Sequence, residues 1–238
     1  MVQTLQARIW VGMAALTLAS FASAQGVFNM GMLTNTMSQG AIVKSERERS
    51  IRLGQGDPLS KKPAKSNPAS LLYKPSADIR KQNLASFVAK IRVADSASAD
   101  GLEKAFAQAD VMGEVRKQVR NAGLNPDNVA DTMATYLVVA WYGVRGNTDS
   151  KAGDYLAVGT QLRGVMAKVP AMTRVSNAAK QELAETMLLQ ALLAEQAVTT
   201  AQKQPSSLPG VKSAIANGAR ATFGFDLAKL RLGKQGFY

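Results

Sequence analysis

The sequence predicts an all-α protein, a multi-helix globular bundle of about seven helices behind a disordered, basic N-terminal arm. Three observations predict it. From Ser76 onward apolar residues recur at i, i+3, i+4 and i+7. The prolines of this region fall at the ends of the periodic runs. No series of alternating strand-like segments follows the arm, and no repeat of 20–50 residues is visible.

The chain divides at residues 24 and 75. Arg8 precedes an apolar segment, Ile9 to Phe21 (IWVGMAALTLASF), and Ala22-Ser23-Ala24 follows, ahead of Gln25. A short positive region, an apolar stretch shorter than the roughly 20 residues of a bilayer span, and an A-x-A site make a secretory signal peptide over 1–24. The expected cleavage lies between Ala24 and Gln25, leaving a periplasmic or secreted chain without a transmembrane span. Residues 25–75 form the expected arm. Within it, Lys44 to Lys81 holds ten Lys/Arg against four Asp/Glu, and four prolines (58, 63, 68, 75) forbid one long helix. Leu71, Leu72 and Tyr73 are the residues expected to dock the arm on the domain. On this division, deleting 44–75 is expected to leave the domain's stability nearly unchanged.

The helices of 76–238 follow in order. Ser76 caps the first, with Leu84, Phe87, Val88 and Ile91 inward. The second is expected from Asp100, with Glu103 completing a capping box and Leu102, Ala105, Phe106 and Ala109 inward. The third runs from Asp110 to Ala122, with Met112, Val115 and Val119 inward, Gly123 as a left-handed cap and Leu124 as its apolar contact. Asn125 is expected to cap the fourth, which contains the most apolar run of the body, NVADTMATYLVVAWYGV (128–144). Its core-facing residues are Val129, Met133, Leu137, Ala140, Trp141 and Val144. A helix apolar nearly all round, but far below membrane-spanning length, belongs at the centre of a globular core. Trp141 is expected to bury its ring there, with Asp131 or Gln190 receiving its N–H. The fifth helix is expected from Asp149 or Ser150 until Pro170 stops it, with Leu156, Leu162, Val165 and Met166 apolar. The sixth covers about 175–204 and ends before Pro205. The seventh starts at Ser206 or Ser207, carries Val211, Ile215 and Ala219, and ends near Gly224. The tail FDLAKLRLGKQGFY reads as a short extended segment closing over the helices.

The chemistry open to the chain is narrow. With no Cys and no His, disulfides, thiolate metal sites, Ser-His-Asp and Cys-His catalysis, HExxH and di-iron Glu-x-x-His sites are excluded. There is no G-x-x-x-x-G-K-[ST], and Gly54-Gln55-Gly56 lacks a preceding strand, so no nucleotide fingerprint is present. Carboxylates remain. Asp131 on the fourth helix, with Glu182 and Glu185 at i, i+3 on the sixth, are the candidate catalytic residues, since facing carboxylates can serve as acid and base on a glycan. The aromatic group Tyr136, Trp141 and Tyr142 fits a core better than a ligand cleft. The formal charge is +12, and +11 once residues 1–24, with Arg8 their one charged residue, are removed. This favours an anionic partner, and Lys61, Lys62 and Lys65 are the candidate binding residues for an anionic surface. No cofactor and no metal are expected. An exported chain with few aromatics is not expected to bind nucleic acid.

The phrases FVAKIR (87–92), LEKAFAQADVMGEVRKQVRNAGLNPDNVADTMATYLVVAW (102–141), KQELAETMLLQALL (180–193) and GAR followed by FDLAKLRL (218–232) resemble, in that order, a family of exported proteobacterial helical proteins known as a domain of unknown function. The resemblance covers 76–238. It implies export and a helical domain and brings no catalytic residues. The expected function is therefore that of an exported cell-envelope binding or accessory protein, non-enzymatic, with an anionic envelope component or another envelope protein as partner. The alternative is a carboxylate-dependent hydrolase of an envelope glycan.

Overall fold

A computed structural model describes residues 67–238. Seven α-helices make up the domain: α1 Ala77–Ala94, α2 Ser96–Gln108, α3 Val111–Asn121, α4 Val129–Gly143, α5 Ala152–Met166, α6 Asn177–Lys203 and α7 Leu208–Phe223. Two short strands, β1 Leu232–Gly233 and β2 Gly236–Phe237, pair antiparallel at the C-terminus. The all-α reading holds. The expected signal peptide, its expected Ala24–Gln25 cleavage site and the expected arm up to residue 66 lie outside the described residues.

Residues 67–75 pack on the domain. Leu71 and Tyr73 are buried as expected, while Leu72 between them points outward. The Tyr73 amide donates to Asp127 O at 3.1 Å, and its hydroxyl donates to Pro126 O at 2.8 Å. A deletion of 44–75 would therefore remove the core side chains Leu71 and Tyr73. The expectation that such a deletion leaves stability unchanged is corrected accordingly.

The helix ends are set by short polar side chains. Ser76 caps α1 as predicted, its Oγ accepting from the Ile79 amide. The start of α2 is corrected from Asp100 to Ser96. Asp95 is one extended residue that ends α1 and caps α2 at once, accepting from the Ser98 amide (3.0 Å) and the Ser98 hydroxyl (2.6 Å). Asp100 and Glu103 instead reach back together to Arg92 of α1. Ala109, expected inward, is the exposed extended link before α3. Asp110 caps α3 through the Gly113 amide at 2.8 Å. Gly123 (φ +83°) ends α3 in a Schellman motif, with Gly123 N–H on Arg120 O and Leu124 N–H on Val119 O, and Leu124 is buried as predicted.

The cap of α4 is Asn128, three residues later than expected. Its Oδ1 accepts from the Ala130 amide at 2.9 Å. Asn125 forms the turn before it, its side chain taking the Asp127 amide and its carbonyl the Asn128 amide. Every residue of α4 from Val129 to Ala140 is buried. Its two threonines cause no polar deficit, since Thr132 and Thr135 donate to Val129 O and Asp131 O. Among the described residues no helix is long and apolar enough to cross a membrane.

Around α4 packs α6, 27 residues and about 40 Å long at 1.5 Å per residue. Leu183, Met187, Leu188, Gln190, Ala191, Leu192, Ala194 and Val198 of α6 are all buried. α5 lies on the other side of α4, α1 covers α6 and carries α2, and α7 closes over α6 and α4. α5 begins at Ala152 rather than Asp149 and ends four residues before Pro170, which opens a separate 3-10 turn. Leu156 and Val165, expected inward, face solvent.

Trp141 is half-buried at the edge of α4, not at the centre of the core. Its Nε1 donates to Leu230 O of the tail (2.9 Å), not to Asp131 or Gln190. Arg145 lies 3.8 Å from the centroid of the indole ring and donates to the carbonyls of Trp141, Leu227, Ala228 and Leu230. The tail is therefore fastened, as its apolar alternation predicted. At its end, Gln161 of α5 donates to Phe237 O and accepts from the Phe237 amide (2.8 and 2.9 Å), mimicking one rung of a sheet.

Candidate functional site

The carboxylates singled out from sequence are engaged by different partners. Asp131 is buried at the start of α4, where it accepts from the Asn125 amide at 2.8 Å and pairs with Arg163 of α5. Glu185 is fully buried on α6 and accepts from three donors, Arg80 Nε (2.9 Å), Asn83 Nδ2 (2.7 Å) and Gln181 Nε2 (3.0 Å). Gln181 also holds both backbone groups of Ser76, so Glu185 anchors the start of α1 to α6. Glu182 is half-buried and faces Lys90; burial lowers the Lys90 pKa and that carboxylate partly restores it. The partner sets of Asp131 and Glu185 share no residue. Lys61, Lys62 and Lys65, the expected anion-binding residues, lie outside the described residues.

A second polar knot joins the docked segment to α3. Arg116 donates to Asp127 (2.6 Å), to the Tyr73 hydroxyl (3.3 Å) and to Pro126 O (3.4 Å). Burial opposes the Arg116 charge, but Asp127 and Tyr73 outweigh it, so its pKa is raised. Burial likewise pushes the Tyr73 hydroxyl up to about 12. These groups are fully used in holding the chain together.

The aromatic group behaves as core rather than pocket for one member only. Tyr136 is fully buried, its ring 5.8 Å from Phe223, and burial raises its pKa. Tyr142 stacks edge-on to Trp141 and donates to Asp154 Oδ2 at 2.6 Å.

Two clefts meet instead at a residue that sequence reasoning missed, Glu195 of α6. The larger encloses about 390 Å³, open mouth included, between α3, α4 and α6, with Tyr155 of α5 also on its wall. The smaller, about 200 Å³, lies between α4, α6 and the 147–150 loop. Glu195 keeps a little solvent contact yet is crowded by apolar side chains, and that burial pushes its carboxyl up to about 7. No hydrogen bond from a described residue reaches this carboxyl. Burial also raises the pKa of the neighbouring Tyr155 hydroxyl, which hydrogen-bonds to Ser150 at 2.7 Å. The signal was present in the sequence: Leu188, Leu192, Glu195 and Val198 continue the inward stripe of α6, so an acid stands where the period demands an apolar residue.

Neither cleft is lined by a second carboxylate. Among the described residues, no three or more acidic side chains come together as metal ligands.

Fold and site together define an all-α domain with an acid, Glu195, at the meeting of two clefts. The chain belongs to the family of unknown function DUF6683, whose sequence profile spans residues 5–238. That span also takes in the arm, which the resemblance read from the phrases above does not cover. No curated protein and no solved structure matches the chain significantly.

Proposed function

We propose that the protein is an exported, non-enzymatic binding or accessory component of a proteobacterial cell envelope, held near anionic material by its charge. The observation that carries the non-enzymatic part is the engagement of Asp131 and Glu185: each spends its carboxylate on protein donors, leaving neither to polarise a substrate. A two-carboxylate hydrolase needs its acids about 5–9.5 Å apart across a shared substrate cleft. The acids here have separate surroundings, and the clefts around Glu195 hold one carboxyl only. The export part rests on Arg8, the apolar stretch 9–21 and Ala22-Ser23-Ala24. The anionic partner is supported by charge on both parts of the chain. Residues 67–238 carry 21 Lys and Arg against 14 Asp and Glu, a formal +7, and residues 44–66 carry seven against three, a further +4.

The test joins location to adsorption. Fractionated cells should yield the chain outside the cytoplasm, with Gln25 as its first residue. That mature chain should adsorb to phosphatidylglycerol vesicles, adsorb less when 44–66 are deleted, and lose most binding by 0.5 M salt, where the Debye length is roughly 4 Å. A cytoplasmic chain starting at Met1, or adsorption indifferent to salt, overturns the proposal.

A further inference from the structure

We infer that the paired clefts around Glu195 form a binding site for a small organic ammonium ion with a slender apolar body. The inference is independent of where the protein resides and of what its basic surface adheres to.

The argument starts from what surrounds the carboxyl. Glu195 projects from α6 and lines both clefts, with Val139 of α4 between them. The larger cleft is walled chiefly by aliphatic groups of α3 and α6, among them Val115, Val119, Leu188 and Leu192, and its polar lining besides Glu195 is neutral: Gln118, Thr135 and Tyr155. The smaller adds Tyr142, Asn147, Thr148 and Ser150, again neutral. No Lys or Arg lines either cleft. Asp154, held by Tyr142, and Asp149 act electrostatically on these tyrosines from outside the clefts, and both are acidic. The local field is therefore negative within a strongly basic molecule.

A carboxylate in such a place has lost part of its water and gained no donor from the described residues, which disfavours its charged form. A ligand that brings a cation and an apolar chain removes that deficit and fills the aliphatic slot. A divalent metal fits poorly, because hard cations take six or more oxygen ligands and one carboxylate supplies two at most. A neutral alcohol fills the slot but leaves the charge unanswered. An anion meets the Glu195 carboxyl and no base in either lining. The clefts are small, so a short chain suits them. The carboxyl half-titrates near neutral pH, so binding of an ammonium should strengthen as pH rises through about 7.

The probe is n-butylammonium chloride, with 1-butanol as the neutral isostere, titrated into the purified protein and followed through the methyl resonances of Val139 and Leu192. Expected is saturable butylammonium binding at pH 8, at least tenfold weaker at pH 5.5 and at least tenfold weaker in E195Q at pH 8. Butanol binding, weak at both pH values, should not change in E195Q. Glutamine keeps the shape and removes the buried charge, so E195Q should fold, and its thermal unfolding is recorded to verify this. E195D, which keeps the charge on a shorter stem, should retain part of the affinity and all of its pH dependence. Absence of saturation at pH 8, equal affinity in wild type and E195Q, or a butanol affinity that matches butylammonium overturns the inference.

Discussion

At the scale of single residues, the buried acids divide by what answers them. Glu185 has three donors and no solvent contact, Asp131 has an arginine and a backbone amide, and Glu195 has none from the described residues. An acid of the first kind is structural, and its removal strands its donors. E185Q presents an amide N–H₂ where a carboxylate oxygen stood, so one of Arg80, Asn83 and Gln181 faces a donor instead of an acceptor. Breaking one side of a buried, charge-assisted cluster costs about 2–4 kcal/mol, the lower part applying because Arg80 retains partial solvent access. The expected outcome is a lower urea midpoint with an unchanged m-value, and faster amide exchange at the start of α1, where Gln181 holds Ser76. An unchanged midpoint would return Glu185 to the list of groups free for chemistry.

At the scale of elements, the tail shows how a segment without a helix becomes part of a helical domain. The β1–β2 pair is only two rungs, Leu232 with Phe237 and Gly233 with Gly236, and such a hairpin is marginal alone. Gln161 supplies a further rung from the side of α5, and Gly236, at φ +103°, gives the left-handed backbone that brings the chain close to it. Q161A removes both bonds, leaving the Phe237 groups to water, and should cost about 1–2 kcal/mol locally. Carboxypeptidase digestion should then proceed past Phe237 at least several-fold faster while the melting of the helices shifts little. Equal digestion rates would mean that Trp141 and Arg145 alone hold the tail. The sequence announced most of these elements, because periodicity and capping chemistry are local: Ser76, Asp110, Gly123 and Gly224 sit at the helix ends where they were expected. It misplaced the starts of α2 and α4 because two polar residues competed for each cap. Asp95 won over Asp100 by holding both the amide and the hydroxyl of Ser98, and Asn128 over Asn125 because residues 125–128 first close a turn against Tyr73. The first competition is local to Asp95 and Ser98 and was open to sequence reading, whereas the second is decided by a partner across the fold. The same limit applies to Trp141, whose acceptor lies 89 residues away, and to Glu195, whose position on the apolar stripe was readable but whose lack of a donor was not.

At the scale of the whole molecule, one group should govern how stability follows pH near neutrality. The chain has no histidine, so ordinary side-chain titrations between pH 5 and 8 are few. Glu195 enters that window because burial moves its carboxyl from the ordinary value of 4.5 to about 7 in the folded state. Between those values the folded chain holds a proton that the unfolded chain has released. The unfolded state then binds fewer protons, and stability falls as pH rises from about 4.5 to about 7. The neutral acid's contribution is complete below the unfolded value and is lost above the folded one. A shift of this size corresponds to at most about 3 kcal/mol, reduced by whatever solvent contact the carboxyl keeps at the cleft mouth. For a basic protein this is informative, since the formal charge of +7 over 67–238 changes little between pH 5 and 8 and general self-repulsion cannot imitate the effect. The decisive measurement is urea unfolding of the wild type and E195Q at pH 5, 6, 7 and 8. The wild type should lose stability across the series, E195Q should be nearly flat, and the two should agree best at pH 5, where both side chains are neutral. If E195Q instead follows the wild-type slope, the titrating group lies elsewhere, and the Glu195 carboxyl finds in the folded chain a donor that leaves it ionised at neutral pH.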